Sequence, residues 1–268
     1  MAKDFDLFEW ELWAGRASAY ERGFAQVTRY LVGPLLDAAG VADGTRLLDV
    51  GTGPGLVSAA ALARGAKVSA IDADPDMIST AQGNVPGLDA RLAVLPDLPF
   101  EDGTFDAVAG NFVINNVGRP GAVLAALRAA LRPAGRIALS CWMMPVSGGL
   151  AVVAEATEAA GVPWPDDVPR SPFLDHGEPV AFRRLMVEAG FADVAVEEVT
   201  WEHVTDPEEW WESGALARVG TTGFIVGRQD AATVRRIKAE YDRIIAGYAT
   251  PDGKVALPAH ALLASAAR

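Results

Sequence analysis

A glycine-rich turn and one acidic residue carry the clearest chemical signal in the chain. Residues 47–55 read LLDVGTGPG, an apolar run that leads into Gly51, Gly53 and Gly55. A helix is expected to begin after this turn, and the free N–H groups of its first turn favour an anionic ligand group. Asp72 ends the next apolar run, where its carboxylate can accept hydrogen bonds from two ribose hydroxyls. The spacing predicts a site for a ligand with an anionic end and a ribose.

Only a parallel sheet would bring these residues together. Short apolar runs alternate with longer helical patterns, which is typical of βαβ units. We predict an α/β fold with a Rossmann-like, doubly wound, mostly parallel seven-stranded sheet and helical lid insertions. The predicted strands are 46–50, 67–71, 89–94, 105–111, 136–142, 193–202 and 254–266. The predicted helices are 54–64, 75–83, 120–131, 148–160, 178–189 and two pieces within 206–247.

The regular alternation of strands and helices stops after Trp142, and this predicts the domain organisation. We predict an N-terminal helical lid over residues 1–40 and a main domain over 41–268. The main domain is expected to carry insertions at about 143–176 and 206–250. Every tryptophan of the chain lies outside residues 41–141.

Composition restricts the partners of the chain. Half of its 268 residues are hydrophobic, which is enough for a large core. The chain carries 23 Lys and Arg against 35 Asp and Glu, a formal net charge of −12 at pH 7. Such a chain lacks the basic surface that binds phosphate backbones, so we predict no nucleic-acid partner. The acidity suits either an ordinary solvated surface or a cationic small-molecule substrate.

Cysteine usage and the N-terminal residues predict the compartment. Cys141 is the only cysteine, so no internal disulfide can form and a reducing compartment is expected. The first residues, MAKDFDLFEWELW, lack a basic stretch followed by an apolar one. The sequence also has no run of about eighteen apolar residues. We therefore predict a cytoplasmic protein without a membrane partner.

An aromatic stripe marks the N-terminal segment. Trp13, Ala17, Tyr20 and Phe24 follow the i, i+4, i+7, i+11 spacing of one helix face. Such a stripe can dock a helix on a core. It can also cover a cofactor and form an aromatic pocket that holds a cation. The two interpretations are compatible.

Further motifs distinguish between two cofactors. Dinucleotide folds usually place the third glycine one residue later, as G-x-G-x-x-G. Here the glycine turn is followed by PDMI at 75–78, LPFEDGTFDAV at 98–108 and LRPAGRI at 131–137. In this order and spacing, residues 45–142 resemble class I S-adenosylmethionine-dependent methyltransferases. The resemblance is to the small-molecule branch that includes ubiquinone and menaquinone biosynthesis and many natural-product enzymes.

The resemblance implies S-adenosyl-L-methionine as the cofactor and assigns residues to its parts. The residues expected near its methionyl end are Asp49, Gly51, Gly53, Gly55 and Asn111, the last through its backbone. Asp72 would hold the ribose hydroxyls. The residues expected around the adenine are Ala73, Met77, Val94 and Leu95. The family usually has Gly-Asp-Ala before LPF, whereas here Ala93 precedes Val94 and Leu95. Adenine recognition would then rest on backbone groups around Val94 and Leu95, or on Asp97 if the turn shifts.

The resemblance also implies methyl transfer to an oxygen or nitrogen of a small-molecule metabolite, by an in-line displacement that depends mainly on positioning. The residues expected to bind this acceptor are Trp13, Tyr20, Phe112, Asn116 and Trp142. Asn115 and Asn116 stand where the family often has a His pair, and Asn cannot take a proton. His176 and His203 follow the fifth and sixth predicted strands and are the candidate catalytic bases. No metal site is predicted.

Two other functions stay open at this point. The chain could bind S-adenosylmethionine without methyl transfer, as a cyclase or a regulatory module, because an obvious base is missing and the adenine segment is altered. An NAD-dependent oxidoreductase is the other alternative, against which the glycine spacing argues. The sequence names neither the acceptor nor the oligomeric state, and a homo-oligomer is left open.

Overall fold

The computed structural model describes residues 4–268 and divides them into two compact units. The first, which we call the helical unit, contains the described residues up to Val27, Val146–Pro169 and Thr200–His260. The second, the sheet unit, contains Thr28–Pro145, Arg170–Val199 and Ala261–Arg268. The domain boundaries expected from the sequence stay a prediction.

A seven-stranded sheet runs in the order β3-β2-β1-β4-β5-β7-β6. Its strands are β1 (Arg46–Val50), β2 (Lys67–Asp72), β3 (Asp89–Leu92), β4 (Phe105–Asn111), β5 (Leu131–Trp142), β6 (Ala192–Thr205) and β7 (Val255–Ala267). The first five strands pair in parallel, and β7 pairs antiparallel with β5. The predicted fold class is therefore confirmed. Strand order reverses at β1, which lies between β2 and β4, and ligands of such sheets bind at this switch point.

Twelve α-helices occur in the described part of the chain. They are α1 (Phe5–Trp13), α2 (Ala17–Arg22), α3 (Phe24–Thr28), α4 (Val32–Ala38), α5 (Leu56–Ala63), α6 (Pro75–Asn84), α7 (Pro120–Ala130), α8 (Val152–Ala159), α9 (Pro179–Glu188), α10 (Pro207–Trp210), α11 (Gly220–Val226) and α12 (Ala231–Ile245). No helix among residues 4–268 has the length and apolar character needed to cross a membrane.

The central strands of the sheet unit are buried on both faces because helices cover each side. Side chains of a strand alternate between the faces. In β1, Leu48 and Val50 therefore join a core with residues of α7 and α9, whereas Leu47 joins a core with residues of α4 and α5. This double burial explains why the strands appear in the sequence as continuous apolar runs.

The N-terminal aromatic stripe does not lie on one helix, so that prediction is wrong. Helix α1 ends at Trp13 and α2 begins at Ala17, with Gly15 between them at φ +71°. Glycine adopts this left-handed conformation without a side-chain clash, which permits the break. Trp13 and Tyr20 still meet edge to face, with ring centroids 5.5 Å apart.

Two other predicted elements also differ from the structure. Strand β5 begins at Leu131 rather than at residue 136, because Leu131 already pairs with Phe105 across a register shift. The stretch 206–247 forms more than two pieces: a π-helix at Trp211–Leu216 separates α10 from α11. Arg218, between the π-helix and α11, has φ of +59°, and Gly220, the first residue of α11, has φ of +68°, so the chain changes direction between the two helices.

Burial makes Cys141 on β5 a testable feature of the core. Its side chain is fully buried, and burial raises the pKa of its thiol above the ordinary value. We expect Ellman's reagent to leave the thiol of the native protein unmodified and to modify it completely in concentrated guanidinium chloride. Rapid modification of the native protein, followed by absorbance, would show that β5 is not buried.

Candidate functional site

The glycine turn lies at the carboxyl end of β1. Gly51, Gly53 and Gly55 have φ of +64°, +53° and +92°, and Gly55 is the N-cap of α5. A Cβ atom on Gly51 would lie 2.5 Å from Cγ2 of Val113, in the segment after β4. The turn therefore needs glycine at this position for both backbone conformation and space.

Asp49 is buried beneath the turn and organises it. Its Oδ2 accepts hydrogen bonds from Thr52 Oγ1 at 2.8 Å and from Ser58 Oγ at 2.6 Å. Burial raises the pKa of Asp49 to about 6. Its Oδ1 is buried and has no hydrogen-bond partner among residues 4–268. The carboxylate thus joins β1, the turn and α5, and keeps one acceptor free.

Asp72 presents its carboxylate to the same turn from the end of β2. Its Oδ2 accepts a hydrogen bond from the Gly53 N–H at 2.9 Å, and its Oδ1 accepts one from the Asp74 N–H at 3.0 Å. A carboxylate has about four acceptor positions, so each oxygen can take a second donor. Burial raises the pKa of Asp72. Two oxygens held in this way suit the paired hydroxyls of a ribose.

Residues predicted around the adenine follow β2 and β3. Met77 is buried in the first turn of α6, and Ala73 is half-buried. The Ala93 N–H donates to the Asp72 carbonyl at 3.0 Å, which ties the Ala93–Leu95 segment to the end of β2. Val94 is 56% exposed, whereas Leu95 packs against the core. Their roles in adenine recognition stay a prediction.

Asn111 ends β4 and Phe112 follows it, at the strand next to β1 in the sheet. The Asn111 side chain donates to the Thr28 carbonyl at 3.1 Å and accepts from Ser140 Oγ at 2.7 Å. These bonds occupy the amide, which favours the predicted role of the Asn111 backbone. Phe112 has φ of +57°, an uncommon conformation for a residue with a side chain, and its ring lies 4.1 Å from that of Trp142.

Ser140 is a site residue that the sequence interpretation missed. Its hydroxyl donates to Asn111, and its carbonyl and hydroxyl both accept from the Phe112 N–H, at 3.1 and 3.0 Å. Ser140 therefore holds the strained end of β4 against β5. A polar residue inside the apolar run IALSCW was the signal that could have identified it.

The asparagines after β4 bond within their own segment. Asn116 donates to the Phe112 carbonyl at 3.2 Å and accepts from Asn115 Nδ2 at 2.7 Å. Asn115 is buried, and its Oδ1 has no hydrogen-bond partner in the described part of the chain. Asn116 thus supports the Phe112 backbone, and its expected contact with an acceptor stays a prediction.

The two candidate bases belong to different units. His176 ends a 3-10 helix, Pro172–His176, of the sheet unit, and its Nδ1 is buried without a hydrogen-bond partner among residues 4–268. His203 belongs to the helical unit and lies inside β6, so the expectation that it follows the strand is wrong: β6 continues to Thr205. Burial lowers the pKa of His203, whose ring lies 5.7 Å from Trp210.

The residues expected to bind the acceptor also divide between the units. Phe112, Asn116 and Trp142 belong to the sheet unit, and Trp13 and Tyr20 to the helical unit. Within each unit the aromatic residues touch, as the pairs Phe112–Trp142 and Trp13–Tyr20. Residues 4–268 contain no group of three or more His, Cys, Asp or Glu side chains arranged to hold a metal ion.

Replacing Gly51 by alanine tests the turn. We expect the free energy of unfolding to fall by about 2 kcal/mol, because alanine at this position must adopt a left-handed backbone conformation and its Cβ would clash with Val113. Urea unfolding measures the loss, and Gly83→Ala in α6, where the Cβ would meet nothing, is the control. The double variant with Val113→Ala should recover only part of the loss, because the Cβ of residue 113 stays 2.8 Å from the new methyl group and φ at position 51 is unchanged. Full recovery would show that neither φ at Gly51 nor this remaining contact matters.

Comparison with known proteins agrees with this geometry. Residues 48–139 match a family model described as a methyltransferase domain. A demethylmenaquinone methyltransferase of Clavibacter sepedonicus is 39% identical over 106 residues, which cover 38% of this chain and 43% of that protein. A ubiquinone biosynthesis O-methyltransferase of Xylella fastidiosa is 37% identical over 122 residues, which cover 41% of this chain and 50% of that protein.

The curated relatives are matched over half of their length or less. Among solved structures, phosphoethanolamine N-methyltransferase 2 of Haemonchus contortus, in complex with phosphomonomethylethanolamine and S-adenosylhomocysteine, has a TM-score of 0.54 and 15% identity. The alignment covers 89% of this chain and 52% of that one. The resemblance expected from the sequence is thus confirmed over residues 48–139, and the fold over most of the chain.

Proposed function

Because residues 48–139 carry a methyltransferase domain, we propose that this chain transfers a methyl group from S-adenosylmethionine to an oxygen or nitrogen of a small molecule. One observation carries the proposal. The Asp72 carboxylate is held by the Gly53 and Asp74 N–H groups at the switch point of the sheet, with acceptor positions left over. Such a carboxylate is suited to a nucleoside ribose and fixes where the rest of the cofactor lies.

The residues at this edge fit the cofactor. Asp72 would hold the ribose, Ala73 and Met77 would line the adenine, and the turn Gly51–Gly55 would let the methionyl part approach the backbone. When bound, S-adenosylmethionine supplies an electrophilic methyl group on a sulfonium. The Oδ1 of Asp49, which has no partner among residues 4–268, could accept a hydrogen bond in this region. The Asn111 side chain is already hydrogen-bonded, so a contact from Asn111 would come from its backbone.

Positioning is the main contribution that the sheet unit would make to the reaction. Phe112, whose N–H donates to Ser140 and whose ring contacts that of Trp142, would form an apolar wall beside the acceptor and exclude water. Asn116 would fix the backbone of this wall. The acceptor-binding roles expected of Trp13 and Tyr20 are part of the same proposal.

Proton transfer is required only for some acceptors. An amine that binds neutral attacks without a base, whereas a hydroxyl gains about 10²–10⁴-fold from one. His176 is the proposed base for a hydroxyl acceptor, because its buried Nδ1 has no other partner among residues 4–268. His203 is the second candidate, and its lowered pKa keeps the imidazole neutral and able to accept a proton near neutral pH.

Two measurements test the proposed function. Calorimetry should detect binding of S-adenosylhomocysteine and no binding of NADH. Incubation with methyl-labelled S-adenosylmethionine and a metabolite extract of the source cells should yield a labelled small molecule and S-adenosylhomocysteine. NADH binding in place of S-adenosylhomocysteine would contradict the cofactor. Cofactor binding without labelled product over a broad set of amines, phenols and acids would favour the non-transferring alternative.

A further inference from the structure

Helix α1 of the helical unit carries a buried carboxyl group that the proposed reaction does not use. Glu9 is only 7% exposed, although it belongs to a short helix with acidic residues on both sides. The hydrogen bond made by its carboxyl group comes from Trp13 Nε1, at 2.9 Å to Oε2. A carboxylate can accept about four hydrogen bonds, and buried charges in proteins are normally paired. Glu9 is therefore a buried acid with most of its acceptor capacity unused.

No Lys or Arg among residues 4–268 forms an ion pair with Glu9, and the charged side chain that acts on it is Asp6, which has the same sign. Arg16, beyond the end of α1, donates to the Glu11 and Ala14 carbonyls at 3.3 and 3.0 Å. Helix α11, which packs against α1, reads GTTGFIV and contributes no charge. Arg228, just beyond α11, is engaged with Asp167 at 2.9 Å.

Apolar and aromatic side chains also pack on α1. Phe8 and Leu12 of α1 are buried together with Val168 and Ile225. The Trp13 ring, which donates to the carboxyl group, meets Tyr20 at 87° with centroids 5.5 Å apart. The Trp13 N–H bond to Glu9 fixes the orientation of this ring. A carboxylate attracts an ammonium group by its charge, and aromatic rings attract it by cation–π interaction, so this combination of side chains suits an ammonium ligand.

We propose that Glu9, Trp13 and Tyr20 form a subsite of the helical unit that binds a protonated amine. The ammonium group would donate hydrogen bonds to the Glu9 carboxylate and lie against the aromatic rings. The net charge of −12 would raise the local concentration of such a cation. This subsite goes beyond the proposed function: it is argued from the helical unit alone, whereas cofactor binding concerns the sheet unit.

Probe compounds test the subsite directly. Calorimetry at about pH 8 compares benzylammonium with benzyl alcohol, which has a similar shape and no charge. The wild-type chain should bind benzylammonium about tenfold more tightly than the alcohol or better, as a charge-assisted hydrogen bond requires. Glu9→Gln keeps an acceptor for the Trp13 N–H and should abolish the preference. The matched control Glu11→Gln removes an exposed charge from the same helix and should keep it.

The outcomes separate the subsite from the proposed function. Equal binding of the two probes by the wild type, or an unchanged preference in Glu9→Gln, overturns the subsite. S-adenosylhomocysteine binding is measured in all variants: if it fails while the Glu9-dependent preference holds, the proposed cofactor is wrong and the ammonium site stands. A second measurement avoids dependence on a variant. Near pH 7 the wild type should release a proton on binding benzylammonium, seen as a buffer-dependent binding enthalpy, and no release would contradict the site.

Discussion

Replacing Asp72 by asparagine is expected to weaken binding of S-adenosylhomocysteine about a hundredfold. The carboxylate is expected to accept two charge-assisted hydrogen bonds from the ribose, each worth about 1.5 kcal/mol, so the loss is about 3 kcal/mol. Asparagine also places an NH2 group where one of the two carboxylate oxygens accepts from the Gly53 or the Asp74 N–H, so one of these hydrogen bonds is lost and the turn is loosened. Isothermal titration calorimetry measures the affinity.

The control for this variant is Asp76→Asn, which removes an exposed carboxylate from the first turn of α6. Its affinity for S-adenosylhomocysteine should stay within about twofold of the wild type, because the interaction of an exposed charge is screened. If Asp72→Asn bound the ligand as well as the wild type does, the ribose would lie elsewhere and the proposed placement of the cofactor would be wrong.

Replacing Glu9 by glutamine is expected to raise the free energy of unfolding of the ligand-free protein by about 3 kcal/mol at pH 8. At about pH 4.5 the same substitution is expected to have no effect. Burial raises the pKa of Glu9 from 4.5 to about 7. Below the lower value the carboxyl is protonated in both the folded and the unfolded chain. As the pH rises to about 7, the unfolded chain ionises first, so stability falls. Each unit of pKa difference corresponds to about 1.4 kcal/mol.

Tryptophan fluorescence during urea unfolding measures the stability of the helical unit, in which Glu9 lies. Six of the seven tryptophans belong to the helical unit, as does Glu9, and only Trp142 belongs to the sheet unit. Glu11→Gln removes the same charge from an exposed position and should change stability little at either pH. A difference between Glu9→Gln and the wild type that does not depend on pH would show that the Glu9 carboxyl has an ordinary pKa.

Local patterns in the sequence were enough to predict the centre of the sheet unit. The apolar run that ends at Val50, the three glycines after it and the acid at Asp72 lie within 27 residues, and the structure places them as expected. The reason is that a βαβ unit is encoded locally: apolar runs specify buried strands, and glycines specify the turn between strand and helix.

The sequence was a poorer guide to features that depend on residues far apart in the chain. The stripe from Trp13 to Phe24 has the spacing of one helix, yet Gly15 interrupts it. Ser140 resembles an incidental polar residue until β4 and β5 pair and bring it to Phe112. In both cases the outcome depends on which segments pack together, and spacing along the chain does not contain that information.

The sequence by itself determined the strands at the switch point of the sheet, the glycine turn and the position of Asp72. Each of these is specified by residues that lie close together in the chain. Only the tertiary structure decided that Glu9 is buried, that Ser140 holds the strained Phe112 backbone, and that Trp13 and Tyr20 touch across a helix break. The physical reason is burial. The chemistry of a carboxyl or a hydroxyl depends on which distant groups remove water from it, and folding alone brings those groups together.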